Sequence, residues 1–128
     1  RETALKTVRA GRITTDEMMD EQSLYCAVEG VGTVVVTGCS HPGVVNIVRH
    51  ARTLCGEGIT AVIGGFHLIE STEERIRRTV EDLQKEKVER VMAGHCTGFP
   101  AQARLYEAFG DRFTPLRTGQ TFSFPPDR

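Results

Sequence analysis

Three of the four histidines follow apolar runs whose composition is that of buried strands. The runs are residues 34–36, 61–63 and 91–93, and the histidines after them are His41, His67 and His95. Glycine stands between each run and its histidine. Because parallel strands of one sheet end on the same edge, the pattern predicts that the three imidazoles converge there. Histidine is the commonest metal-binding side chain near neutral pH, so this edge is a candidate metal site.

The strongest candidate ligand is His95, which stands between Gly94 and a second glycine three residues on. Glycines let the backbone turn sharply and approach a ligand closely. His41 and Cys39 add an imidazole and a thiol two residues apart, and zinc and iron accept both. The alternative is that each histidine is satisfied in the core and that Cys39 is a small buried hydrophobe.

The turn over residues 38–43 joins a predicted strand to a predicted helix, and it has a second interpretation. Free N–H groups at a helix start attract anions such as phosphate. On this interpretation Gly38, Ser40 and Gly43 bind an anionic substrate. Otherwise Ser40 or the histidine after it simply caps the helix. A cysteine-phosphatase loop is excluded, because it needs arginine six residues after the cysteine and Val45 stands there.

The double glycine Gly64–Gly65 precedes His67 and indicates close approach of the backbone to another group. We therefore place Gly65 with the substrate-binding residues. Phe66 and Leu68 could instead bury the His67 ring between them. The fourth histidine, His50, lies among arginines in a predicted helix and is interpreted as a surface residue.

Composition limits the classes of function. The chain has 128 residues, enough for one domain with a core, and its net charge is −1. This balance predicts neither nucleic-acid nor membrane binding. The four cysteines form no C-x-x-C pair, which argues against thioredoxin-like chemistry and a zinc ribbon and favours a cytoplasmic location. The chain does not begin with methionine, which suggests a processed or truncated piece.

Apolar periodicity predicts a polar lead-in over residues 1–20 and one α/β domain over residues 21–128. The lead-in includes a loop or short helix at residues 14–21. The order within the domain is β-β-α-β-α-β-α-β with a largely parallel sheet. The predicted strands are residues 23–29, 33–37, 59–63, 88–93 and 119–124. The predicted helices begin near Pro42, Ser71 and Pro100. Three helices are too few to cover both sheet faces, so a half that docks against another half is expected.

The strand-end phrases together resemble a known fold. Residues 34–43, 64–68 and 94–98 are similar to the C-terminal half of a metallo-β-lactamase-fold metal-dependent hydrolase. The subgroup is the one similar to dihydropterin-ribofuranosyl-aminobenzene-phosphate synthase. The resemblance covers residues 20–124. It implies half of an αββα sandwich with a mixed sheet, and metals (zinc, or else iron or manganese) between the halves.

The resemblance also implies residue roles. Cys39 stands where many members have a bridging aspartate, and His95 matches the last histidine ligand. His41 is expected to replace the missing aspartate, and His67 to lie near the substrate as a catalytic residue. The family's His-x-His-x-Asp-His motif is absent from this chain, so the chain alone is expected to be inactive.

The sequence therefore predicts part of a hydrolase that uses metal-activated water on a phosphoester or related bond. Its expected partners are a small phosphorylated substrate and either the missing N-terminal half or another copy of the chain. Two alternatives remain open: a non-catalytic α/β module that binds phosphate or nucleotide, and a docking half without catalysis.

Overall fold

The computed structural model describes residues 5–56 and 58–124 as a two-stranded hairpin followed by a five-stranded mixed sheet with helices. The strands are β1 (Lys6–Arg9), β2 (Arg12–Thr15), β3 (Ser23–Val28), β4 (Gly32–Thr37), β5 (Ile59–Gly65), β6 (Arg90–Gly94) and β7 (Phe113–Pro115). The helices are α1 (Val44–Cys55), α2 (Glu73–Lys85) and α3 (Phe99–Phe109), with short 3₁₀ turns at His95–Thr97 and Gly110–Arg112.

The large sheet has the strand order β3-β4-β5-β6-β7, which follows the chain. The β3–β4 pair is an antiparallel hairpin, and every later pair is parallel. Each parallel connection carries one helix, and right-handed crossovers in one direction place all helices on the same face. The mixed α/β fold and the order of its elements from residue 23 onward are therefore as predicted.

The main core lies between this sheet face and the three helices. Val35, Val62 and Val91 supply its strand side, one from each central strand. The helices contribute the apolar positions that their periodicity indicated: Val44, Ile47, Val48 and Ala51 from α1, Ile76, Val80 and Leu83 from α2, and Ala101, Leu105 and Phe109 from α3. Strand side chains alternate between faces, so their immediate neighbours point the other way.

The opposite sheet face is only partly covered. Val34, Ala61 and Met92 form a small buried cluster there, with Phe122 and Phe124 packed against it. Towards β3 the same face is open: Leu24, Val28 and Val36 are exposed, Leu24 by 66%. This agrees with the expectation that three helices leave one face short of cover.

Three predicted local features were wrong. The last strand is Phe113–Pro115 and not residues 119–124. The alternating aromatics of the tail cover the outer sheet face without backbone pairing. The backbone of β7 continues the sheet instead, and Leu116 N donates to Ala93 O at 3.0 Å. Pro42 precedes α1, which begins after Gly43 at φ 98°.

The third error concerns the lead-in. Its described part forms a β-hairpin, and the loop-or-helix prediction for residues 14–21 holds only beyond β2. Ala10 and Gly11 turn the hairpin with φ values of 50° and 73°, the combination that a two-residue type I′ turn requires. Most hairpin residues are exposed, which explains why no apolar pattern predicted them. The prediction for residues 1–4 lies outside the described residues.

The charged face of α2 is a network of surface ion pairs, as the sequence predicted. Arg77 contacts Glu74 and Glu81, and Lys85 contacts Asp82, all at three- or four-residue spacing. Thr72 caps the helix by accepting from Arg75 N, so the capping-box-like sequence acts through its threonine. Exposed pairs of this kind add only a few tenths of a kcal/mol each.

Replacing Leu83 with alanine tests the helix-covered core. Leu83 is fully buried, so Leu83→Ala is expected to lower the free energy of unfolding by about 2–5 kcal/mol. Leu54→Ala is the matched control, because Leu54 is 63% exposed and its loss should cost less than about 0.5 kcal/mol. Urea unfolding measures both, and equal midpoints would contradict this assignment of the core.

Candidate metal centre

Three parallel strands end together at one corner of the sheet. Gly65 of β5 is paired with Gly94 of β6, and Gly65 N donates to Gly38 O, just beyond β4, at 2.8 Å. The chain segments that follow these strands therefore start side by side. They carry the three histidines named from the sequence, so the predicted convergence on one edge is what the structure shows.

Glycine at two positions makes this close approach feasible. Gly64 has φ 149°, and a Cβ there would collide with the carbonyl oxygen of Thr37. At Gly65 a Cβ would lie 2.8 Å from Cys96 Sγ and 3.0 Å from Gly38 O. The double glycine does bring backbone close to another group, as predicted, and that group is the neighbouring strand end. The N–H of Gly65 already donates to Gly38 O. A substrate-binding role for Gly65 stays a prediction.

Each strand end also carries a non-glycine residue at positive φ. These are Ser40 at 62°, His67 at 43° and His95 at 51°. Such backbone conformations are uncommon outside glycine, and they concentrate where function holds a side chain in place. Thr97 fixes the turn after β6, because its hydroxyl donates to Gly94 O at 2.6 Å and accepts from Phe66 N at 3.1 Å.

The tightest group of metal-ligand atoms at this corner comes from Cys39, His95 and Cys96. In the described part of the chain, one ligand atom of each lies within 4.8 Å of the other two. Cys39 and Cys96 are half-buried, whereas His95 is exposed. Sulfur ligands of a tetrahedral zinc at about 2.3 Å lie roughly 3.8 Å apart. The three side chains therefore fit a divalent metal with small shifts of side-chain torsions.

Cys96 is held by the loop after β5. His67 N donates to Cys96 Sγ at 3.3 Å, and the thiol donates weakly to Cys39 O at 3.6 Å. The carbonyl of Cys96 accepts from Leu68 N and Ile69 N, both at 3.1 Å. Burial raises the pKa of the Cys96 thiol, with a smaller opposing effect from the His67 N–H. In the metal-free protein this thiol is therefore protonated at neutral pH.

A second polar group adjoins the first and consists of Glu21, His41 and His67. Glu21 accepts from the His41 backbone N–H at 3.0 Å, and its Oε2 lies 2.6 Å from His41 Nδ1. Both side chains are largely buried, at 9% and 14% exposure. The rings of His41 and His67 lie against each other at an angle of 51°, with centroids 4.3 Å apart. His67 is half-buried, and its ring lies against another imidazole.

The structure separates the four residues predicted to hold metal or substrate chemistry. Cys39 and His95 lie together, as expected. His41 lies outside that cluster, and its Nδ1 is engaged by Glu21, so only its Nε2 remains for a metal. His67 lies beside His41. The roles assigned to these residues stay predictions.

The turn at residues 38–43 binds the side-chain carboxyl group of the chain's own Glu21 through the backbone N–H of His41. Ser40 is buried, and its hydroxyl donates to Gly65 O at 2.6 Å and lies 3.0 Å from that of Thr37. Gly43 N donates to Ser40 O, and α1 has no side-chain cap, so the capping alternative was wrong. Binding of an external anion by Gly38, Ser40 and Gly43 stays a prediction.

Sequence reasoning missed two residues of this corner, Glu21 and Cys96. Glu21 is 20 positions from its partner and lies in an irregular segment, where no periodicity predicts a contact. Cys96 stood inside a quoted motif, yet a cysteine after a strand resembles a small core residue. A clear signal would have been that Cys96 adjoins His95, the strongest candidate ligand.

A solved structure identifies the fold. A metal-dependent hydrolase of the β-lactamase superfamily superposes with a TM-score of 0.83 and 31% sequence identity, over 94% of this chain and 47% of that protein. The chain has a metallo-β-lactamase-like fold, as predicted. No protein-family model matches the sequence.

Two curated proteins of Methanocaldococcus jannaschii are also similar to this metallo-β-lactamase-fold chain. One is named 7,8-dihydropterin-6-methyl-4-(beta-D-ribofuranosyl)-aminobenzene-5'-phosphate synthase, and it is 41% identical over 89% of this chain and 39% of its own length. The other, an uncharacterized protein, is 34% identical over 77% of this chain and 35% of its own length. The chain thus spans about two-fifths of the curated relatives and about half of the solved structure. The predicted subgroup is confirmed.

Among the described residues, no helix combines the length and the apolar character that crossing a bilayer requires.

Adding a methyl group at Gly65 tests the close packing of the corner. Gly65→Ala is expected to cost about 1–3 kcal/mol of stability, because the new Cβ overlaps Cys96 Sγ and Gly38 O. Gly38→Ala is the control, since a Cβ at Gly38 meets no atom within 4 Å. Thermal unfolding compares the two, and a Gly65→Ala protein as stable as Gly38→Ala would refute the packing argument.

Thiol alkylation tests the environment of Cys96. In metal-free protein at about pH 8, iodoacetamide is expected to modify exposed Cys26 before Cys96, because the thiolate is the reactive form and burial disfavours it. Peptide mass spectrometry over time gives both rates. In denaturant the two rates should become similar; equal rates in the folded protein would contradict the prediction.

Proposed function

We propose that this chain forms part of a metal-dependent hydrolase that acts on a phosphoester or related bond with metal-activated water. The observation that carries the proposal is the meeting of Cys39 and His95 at the end of β4 and β6, within 4.8 Å of each other. The name of the structural relative, a metal-dependent hydrolase, supports the same chemistry.

Zinc is the proposed metal, with iron and manganese as alternatives, and it supplies a Lewis acid that makes water nucleophilic near neutral pH. Cys39 and His95 hold it from two strand ends. Glu21 fixes the orientation of His41 through Nδ1, which leaves His41 Nε2 directed by a carboxylate, as ligand histidines commonly are. His41 is therefore retained as a contributor, from a position beside the cluster.

His67 is the residue proposed to contact the substrate. Its ring packs against His41, and its backbone N–H donates to Cys96, so the side chain is fixed next to the metal residues. A half-buried imidazole in this place can orient a phosphoryl group or stabilise its negative charge. A small phosphorylated substrate fits this role, and the curated relative's name includes a ribofuranosyl phosphate.

The open sheet face is the proposed contact with the rest of the fold. Leu24 and Val36 are cross-strand partners, and both are exposed, with Val28, on the face that lacks helices. An N-terminal half that packs there would complete a sandwich and bring further ligands to the corner; a second copy of the chain is the alternative partner.

The four free cysteines are consistent with a reducing cytoplasmic environment.

Replacing His95 tests the function. In the intact protein that contains both halves, His95→Ala is expected to lower bound metal and to reduce phosphodiesterase activity by about 100-fold or more, because the metal loses a ligand. His50→Ala is the matched control, since His50 is exposed on α1 and its ring lies against Tyr25. Metal analysis and a chromogenic phosphodiester assay measure both effects. Unchanged metal content and activity in His95→Ala would reject the site, and activity that survives EDTA would reject metal dependence.

A further inference from the structure

Two sulfur atoms lie at the corner, where the sequence predicted one. Cys39 follows β4 and Cys96 follows β6, 57 positions apart in the chain, and their Sγ atoms lie within 4.8 Å of each other and of a His95 ring nitrogen. Adjacent residues rarely point at one target, but His95 has φ 51°. That left-handed turn allows His95 and Cys96 to contribute to the same cluster.

We propose that Cys96 is a second thiolate ligand, so that this chain supplies a Cys39–His95–Cys96 set that selects zinc. The inference rests on the proposed function, because it takes the metal site at this corner as given. It adds the sulfur of Cys96 to Cys39 and His95 as the third ligand of the cluster, with His41 beside it. His41 then acts as the partner of Glu21 and His67.

The surroundings of Cys96 suit a ligand thiolate. When the metal binds, the Cys96 S–H proton passes to solvent and the weak bond to Cys39 O is lost. The His67 N–H continues to donate to the sulfur, as groups that surround the ligands of metal sites commonly do. Gly65 leaves the space that the sulfur occupies, since any Cβ there would overlap it. The sulfur is thus positioned by the backbone of β5 and its loop.

The donor set determines which metal is preferred. Two thiolates and one imidazole are typical of zinc, whereas manganese and magnesium favour carboxylate, carbonyl and water oxygens. His95 is the exposed member of the three, so the cluster opens to solvent on its side. A fourth ligand, either from the substrate or from the missing half, can enter there.

Cobalt(II) is a direct probe of the number of sulfur ligands. Sulfur-to-cobalt charge transfer absorbs in the near ultraviolet in proportion to the number of bound thiolates. Cys96→Ser is expected to reduce this absorption of the cobalt-loaded protein by about half and to weaken zinc binding by about 100-fold or more, beyond what a lost outer-shell partner causes. Cys26→Ser is the matched control, because Cys26 is exposed on β3, and it should leave both values unchanged.

Cadmium-113 NMR of the unaltered protein gives a second readout that does not depend on the folding of a variant. A resonance in the range of two sulfur ligands supports the inference, and one in the range of a single sulfur overturns it. Cobalt spectra of Cys96→Ser identical to those of the unaltered protein would also overturn it, while leaving the proposed function intact if His95→Ala still loses metal. Failure of both variants to change metal binding would reject the proposed function itself.

Discussion

The parallel register of β4, β5 and β6 is the constraint on which the corner depends. Val36 pairs with Ile63, Ile63 with Met92, and Gly65 with Gly94, so the three strands end nearly level. A one-residue slip would turn the buried valines outward, and the core therefore fixes the register. Because the same register sets where each loop begins, the packing of the core and the placement of Cys39, His67 and His95 share one cause.

The sequence predicted the features that follow from periodicity. The central strands, the three helices and the common edge of the three histidines all depend on apolar spacing, which is visible along the chain. The features missed depend on backbone conformation. The β1–β2 hairpin comes from two residues at positive φ, and Phe113–Pro115 is too short to show alternation. In both places a few backbone torsions decide the structure, and composition carries little information about them.

The site followed the same division. The location of the site could be predicted, because the site lies at the ends of predicted strands. Which residues join it could not be predicted. Glu21 reaches His41 from an irregular segment, and Cys96 joins the cluster because His95 turns the chain the left-handed way. Burial also gives Ser40 a structural role that composition does not predict. Its hydroxyl links the ends of β4 and β5.

Ser40, His67 and His95 have a consequence for how this chain can change over generations. Each holds a backbone conformation that glycine adopts freely and that costs other residues on the order of 1 kcal/mol or more. Substitution by glycine would relax the backbone and would also remove the side chain. At each of these positions a relaxed backbone and the present side chain are therefore alternatives, and a change to glycine would gain the first only by losing the second.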